Sequence, residues 1–190
     1  RAIGLALVSA GKGQMGRRDR SNLGLRYENG KGGRKGVDKA VEWYRKAAEQ
    51  GQAQAQHNLG LCYRKGEGVR KDADKAEGWF RKAAEQGHDD AQCNLGQCYR
   101  QGEGVRKDAG KAVEWYRKAA EQGEADAQFN LGACYYNGEG VRKDDEKAVR
   151  WFRQAAAQGQ PQAQYNLGAC YDNGAGVRKD AKEAVEWLRE

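Results

Sequence analysis

The sequence predicts an all-α chain, a right-handed α/α superhelix of 36-residue helix–loop–helix repeats. Three observations predict it. The five tryptophans, Trp43, Trp79, Trp115, Trp151 and Trp187, are each 36 residues apart. The triplet Asn-Leu-Gly recurs with the same step at 22–24, 58–60, 94–96, 130–132 and 166–168. Tyr27, Tyr63, Tyr99, Tyr135 and Tyr171 hold that phase, as do Gly30, Gly66, Gly102, Gly138 and Gly174. A fixed period of this length marks a solenoid, whose units bury their apolar faces only by stacking.

The unit 52–87 shows how each element arises. Ala55, Leu59, Cys62 and Tyr63 fall at helical spacing and form one apolar stripe. Gly66 stands where a left-handed cap would end that helix. The connector Gly66-Glu67-Gly68-Val69-Arg70-Lys71 leads to Asp72, an N-cap for the second helix. Ala76, Trp79, Phe80 and Ala83 make the second stripe, and Gly87 closes it. The one proline, Pro161, falls at the start of a first helix, where its missing N–H costs no hydrogen bond. Stacked hairpins would make the Trp, Tyr and Leu columns a continuous core. Gly60 and its equivalents predict close approach within a hairpin, and Ala47-Ala48 close approach between hairpins.

Departures from the period mark weak points. The first unit has Gly33 and Gly36 where later units carry Val69 and Asp72, which predicts a looser connector. Glu77 and Gly78 interrupt a second helix whose equivalents carry Val41, Val113, Val149 and Val185. A glycine inside a helix costs about 1 kcal/mol relative to alanine. The chain ends at Glu190 inside a second helix, with no polar capping element and no initiating Met, which predicts a fragment of a longer protein.

The residues Ala55-Gln56, Leu59-Gly60, Tyr63, Gly66-Glu67-Gly68-Val69, Asp72, Lys75-Ala76, Trp79-Phe80 and Lys82-Ala83-Ala84-Glu85-Gln86-Gly87 resemble the Sel-one-like repeat family, a relative of the tetratricopeptide repeats. The resemblance covers about 21–190, as roughly five repeats with the last truncated; 1–20 is then a degenerate or disordered segment. It implies a tetratricopeptide-like solenoid acting as a non-catalytic scaffold or adaptor for a protein or peptide, with no cofactor. Some relatives have been linked to penicillin binding or β-lactam hydrolysis, so a cell-envelope enzyme is the alternative. Such chemistry needs an activated serine, and the chain has only Ser9 and Ser21. A cysteine nucleophile needs a base, and Cys93 with His57 is the one conceivable pair.

Compartment has two readings. Arg1 to Ala10 is a short apolar run behind one positive charge, and Val8-Ser9-Ala10 has the small-x-small shape of a signal-peptidase site. The run also fits a degenerate second helix, with Leu7 lying 36 residues before Trp43. Cys62, Cys98, Cys134 and Cys170 occupy one core column and Cys93 is the fifth thiol, an odd set that favours a reduced, cytoplasmic compartment over an exported or periplasmic one. A secreted cysteine-rich subset of the family pairs a second-helix cysteine with one at the start of the next first helix. The matching positions are Ala48 with Gln56 and Ala84 with Gln92, so that stapling is absent. His57 and His88 have no partner at a recognised ligand spacing, so no metal site is expected.

Charge narrows the partner class. The chain carries 34 basic and 27 acidic residues, net +7. Five of the basic groups (Arg1, Lys12, Arg17, Arg18, Arg20) stand in the first twenty residues beside Asp19. The body is closely mixed in sign and lacks the basic stripe of a nucleic-acid binder. No apolar run approaches the ~18 residues of a membrane span.

The candidate binding residues follow from helical geometry. With Gln54 at zero and 100° per residue, the core residues of the first helix fall between about 80° and 180°. His57, Leu61 and Arg64 fall on the opposite face, between about 280° and 340°. First helices line the concave side of such arrays. The units of this chain differ from one another there: His57, Cys93, Phe129 and Tyr165; Leu61, Gln97, Ala133 and Ala169; Arg64, Arg100, Tyr136 and Asp172. The other side repeats Arg45-Lys46, Arg81-Lys82 and Arg117-Lys118 as plain charge. An extended or helical peptide along the inner stripe, its acidic part near Arg64 and Arg100, is the functional expectation. Unconstrained solvent-facing variation, or packing of the 57 column between hairpins, would explain the same pattern.

Overall fold

A computed structural model of the chain describes residues 36–189, and among these it holds nine α-helices and no strand. They are α1 (Gly36–Ala48), α2 (Ala53–Lys65), α3 (Ala73–Glu85), α4 (Asp89–Gln101), α5 (Ala109–Glu121), α6 (Ala125–Asn137), α7 (Asp145–Ala157), α8 (Pro161–Asn173) and α9 (Ala181–Arg189). Each helix packs chiefly on its two chain neighbours, and the result is an all-α solenoid. The expectations for residues 1–20, for Gly33 and for the first helix of the first unit lie outside the described residues.

Local chemistry sets the boundaries as predicted. Gly66, Gly102, Gly138 and Gly174 end the first helices in the left-handed region. Their N–H groups donate to the carbonyls of Cys62, Cys98, Cys134 and Cys170, removing one orphan acceptor each. The carboxylates of Asp72, Asp108 and Asp144 accept from the N–H groups of Lys75, Lys111 and Lys147 and start the second helices. Pro161 is the first residue of α8.

Packing bears out the small-residue positions. A Cβ on Gly60 would lie 2.6 Å from the Phe80 ring, and one on Gly96 or Gly132 would lie 2.7 Å from the ring of Tyr116 or Phe152. Hydrogen therefore sets the spacing of the two helices in each hairpin. The connector glycines add a contact between units: a Cβ on Gly104 would collide with the Ala73 carbonyl at the start of α3, and one on Gly140 with the Ala109 carbonyl at the start of α5. Each connector thus seats on the second helix of the preceding unit.

The core differs from the expectation in one respect. The fully buried aromatic column is Tyr44, Phe80, Tyr116 and Phe152, with Leu59, Leu95, Leu131 and Leu167 and the alanine pairs beside it. Trp79, Trp115 and Trp151 sit at its edge, half-buried. Lysine ammonium groups lie over the indoles: Lys82 is 4.2 Å from the Trp79 ring centre and Lys118 4.1 Å from that of Trp115. Buried residues from Ala40 to Cys134 form one cluster and those from Ala148 to Cys170 a second. Half-buried Tyr135 packs against both.

Two ladders tie the units together. Arg45, Arg81, Arg117 and Arg153 each donate to the hydroxyl of a tyrosine on the next helix (Tyr63, Tyr99, Tyr135, Tyr171) at 2.9–3.3 Å. The arginines predicted to be plain surface charge are therefore interface residues. The second ladder is buried. Gln56 donates to the Ala48 carbonyl at 3.1 Å and accepts from Gln86 at 2.6 Å, and the pattern repeats at Gln92 and Gln128. Positions 48 and 56, which the cysteine-rich subset pairs covalently, are joined here by a hydrogen bond.

Candidate protein-interaction face

The inner positions belong to α2, α4, α6 and α8, whose side chains meet those of the next first helix. Asn94 on α4 accepts from the Arg64 guanidinium of α2 at 2.7 Å, and its amide nitrogen lies 2.9 Å from Nε2 of His57. Arg64 also donates to Gln97 at 3.3 Å and lies over the Phe80 ring. One unit later Arg100 donates to Asn130 at 3.4 Å, and the Asn130 amide faces Cys93. At these two junctions the asparagine of the Asn-Leu-Gly triplet, Asn94 or Asn130, is thus a bridge between units. Sequence reasoning used it only as a period marker, though a polar residue held in every unit beside a core leucine was the available signal.

The structure corrects the expectation for two candidates. His57 and Cys93 are 6% and 4% exposed and face the neighbouring unit, where no partner can reach them. A solenoid helix touches the next hairpin as well as its own, so part of the face opposite the hairpin core is an interface. Phe129, in the same column, is half-buried and tilted against Phe152 at 6.0 Å. Tyr165 is 65% exposed, since no described repeat follows to cover it. Leu61, Gln97, Ala133 and Ala169 are half-buried, as are Arg64 and Arg100; Tyr136 and Asp172 are exposed.

His57 and Cys93 are held in their neutral forms. Burial, with His88 and Arg64 alongside, pushes the His57 imidazole down to about 4. Burial and the adjacent Glu124 carboxylate push the Cys93 thiol up, the reverse of what a nucleophile needs. Cys93 interacts with Glu124 and Asn130, and His57 with Asn94 and His88. Ser9 stands three residues before Lys12, a Ser-x-x-Lys spacing, but both lie outside the described residues. Nothing in the described geometry favours the enzyme alternative.

The model of the Sel1 repeat matches five times, at 20–52, 53–88, 89–124, 125–160 and 161–190. The chain belongs to the Sel1 repeat family. Its members are in general protein-interaction scaffolds and typically non-catalytic. A Sel1 repeat protein from Oxalobacter formigenes is 38% identical, with a TM-score of 0.91 over 98% of this chain and 74% of that one. A protective antigen of uropathogenic Escherichia coli strains displaying an SLR fold is 42% identical, with a TM-score of 0.85 over 90% of this chain. The present chain spans 37% of that antigen. A cysteine-rich protein of Helicobacter pylori is 30% identical, with a TM-score of 0.54 over 67% of this chain and 91% of its own. No match was found among curated proteins. Among the described residues no helix is long and apolar enough to cross a membrane.

Proposed function

We propose that this Sel1 repeat chain is a non-catalytic scaffold whose first helices hold an extended or helical peptide segment of a protein partner. The observation that carries the reading is Tyr136 on the inner stripe, 37% exposed with its ring tilted against Phe152 at 6.4 Å, while half-buried Phe129 tilts against the same ring. Arg64 and Arg100, each oriented by an asparagine of the next unit, supply positive charge toward the other end. The peptide places its acidic part near these two arginines and its apolar part against Tyr136 and Phe129.

The test is selection from a displayed peptide library against the purified chain, followed by affinity measurement on the enriched sequences. Enrichment of peptides combining acidic and apolar residues is expected. Tyr136→Ala with Tyr165→Ala should weaken binding at least about tenfold, since both exposed tyrosines of the inner stripe are lost. Glu85→Ala with Glu121→Ala, exposed on second helices, should leave it unchanged. Loss of binding in the glutamate pair with retention in the tyrosine pair would reverse the assignment.

A further inference from the structure

The junction between α2 and α4 carries a chemistry that the other described junctions lack. His57 lies on α2, and His88 and Asp90 at the start of α4. The two imidazole rings stack with centres 4.9 Å apart. One donor atom from each of His57, His88 and Asp90 lies within 4.8 Å of the others. Nε2 of His57 is engaged by Asn94, whereas Nδ1 is buried and has no hydrogen-bond partner. A buried, unsatisfied ring nitrogen costs free energy, and a ligand on it would relieve that cost.

We propose that His57, His88 and Asp90 form a binding site for a divalent transition-metal ion of the zinc type. Two imidazoles and one carboxylate are a borderline-soft donor set suited to such ions. Bonds of about 2.0–2.2 Å place donors roughly 3.3 Å apart. The three groups must therefore draw together: exposed Asp90 does so by side-chain rotation, whereas the largely buried His88 ring gives up a present contact, to Gln54 at Nε2 or to the Ala91 N–H at Nδ1. Binding through Nδ1 of His57 requires its ring proton on Nε2. The Asn94 amide then turns its oxygen to the ring, and Arg64 gives up its 2.7 Å bond to Asn94 and keeps Gln97 as its acceptor. Asn94 becomes the outer partner that fixes the ligating tautomer. Asp89 and Asp90 offset the positive charge of Arg64 beside the site.

The same three columns show why the site is local. One unit later they carry Cys93, Glu124 and Asp126, a thiol and two carboxylates in place of the imidazole pair, with the Cys93 thiol pushed up by burial and by Glu124. One unit further they carry Phe129, Gln160 and Gln162, which offer no comparable set. The ion would staple α2 to α4 across a repeat junction, at the end of the inner stripe that holds Arg64.

The test is equilibrium dialysis of the tag-free chain against zinc, with cobalt(II) absorption to identify the ligand type. One ion per chain, a cobalt spectrum without a thiolate charge-transfer band, and a rise in melting temperature on zinc addition are expected. His88→Gln and His57→Phe, which install the residues found at Gln160 and Phe129, should each weaken binding more than about tenfold while leaving far-ultraviolet helicity unchanged. Two-dimensional NMR of the imidazoles should show the His57 tautomer changing on binding. Absence of saturable binding, a thiolate signature, or unchanged affinity in both folded variants would overturn the assignment.

Discussion

The guanidinium of Arg81 on α3 donates to the hydroxyl of Tyr99 on α4, 3.0 Å away, while pairing with the carboxylate of Glu77 one turn back. Glu77 is 8% exposed and stands in a column otherwise filled by valine. The charge that breaks the pattern is therefore held by the ladder that joins two repeats. Arg81, the partner of that carboxylate, is itself partly open to water, so Arg81→Ala should cost about 1–2 kcal/mol, between the exposed and the buried ion-pair cases. Glu77→Val with Arg81→Ala should recover most of the loss, because valine matches Val41, Val113 and Val149. Urea denaturation of the two variants measures both values, and equal losses would show that the pair is not coupled.

The same substitution should act with opposite sign at two helical glycines. Gly78 on α3 has no atom within 4 Å of where a Cβ would stand, so Gly78→Ala should stabilise by about 0.5–1 kcal/mol through helix propensity. At Gly96 on α4 the new methyl would press on the Tyr116 ring at 2.7 Å, and Gly96→Ala should destabilise by about 1–3 kcal/mol. The measurement is the shift in denaturation midpoint at constant slope.

Tyr116 fills a position that Phe80 and Phe152 fill in other units, and its hydroxyl is buried without a hydrogen-bond partner. Tyr116→Phe removes a desolvated polar group and leaves the ring in place. It should raise stability by up to about 1 kcal/mol. A clear loss in thermal unfolding would mean that the hydroxyl has a partner in solution.

All five cysteines are buried, and burial pushes the thiols of Cys98 and Cys134 up to about 11. A thiol at 11 is about one part in a thousand thiolate at pH 8, and that fraction rises tenfold with each pH unit until the pH reaches 11. Labelling of the native chain by a disulfide reagent at pH 8 should therefore be slow and set by opening. All five thiols should react promptly in denaturant. A single fast thiol in the native chain would point to a reactive site.

The features legible in the sequence were those fixed by local backbone needs and repeated at the period. The left-handed caps at Gly66 and its equivalents, the Asp72-type N-caps, Pro161 at the head of α8 and the Gly60 column all follow from what one residue can do with its neighbours. A helical wheel gives angle but not depth. Trp79 and Phe80 are adjacent on the same stripe, yet the phenyl ring fills the centre and the indole lies at the rim under Lys82. Partners across a repeat junction were not legible, because they lie at separations no secondary-structure period produces. Arg81 and Tyr99 are 18 residues apart, and Arg64 and Asn94 are 30 apart. That blind spot placed His57 and Cys93 on an open face, where the next hairpin in fact covers them.

Hydrogen exchange in the native state, followed amide by amide, tests most directly whether these hairpins stand as one coupled stack. The amides of α4, α5 and α6, enclosed by neighbours on both sides, should share one protection free energy close to that of global unfolding, with values falling toward α9. Equal, low protection in every helix, well below the global value, would show that the repeats fold independently and that the ladders between them contribute nothing.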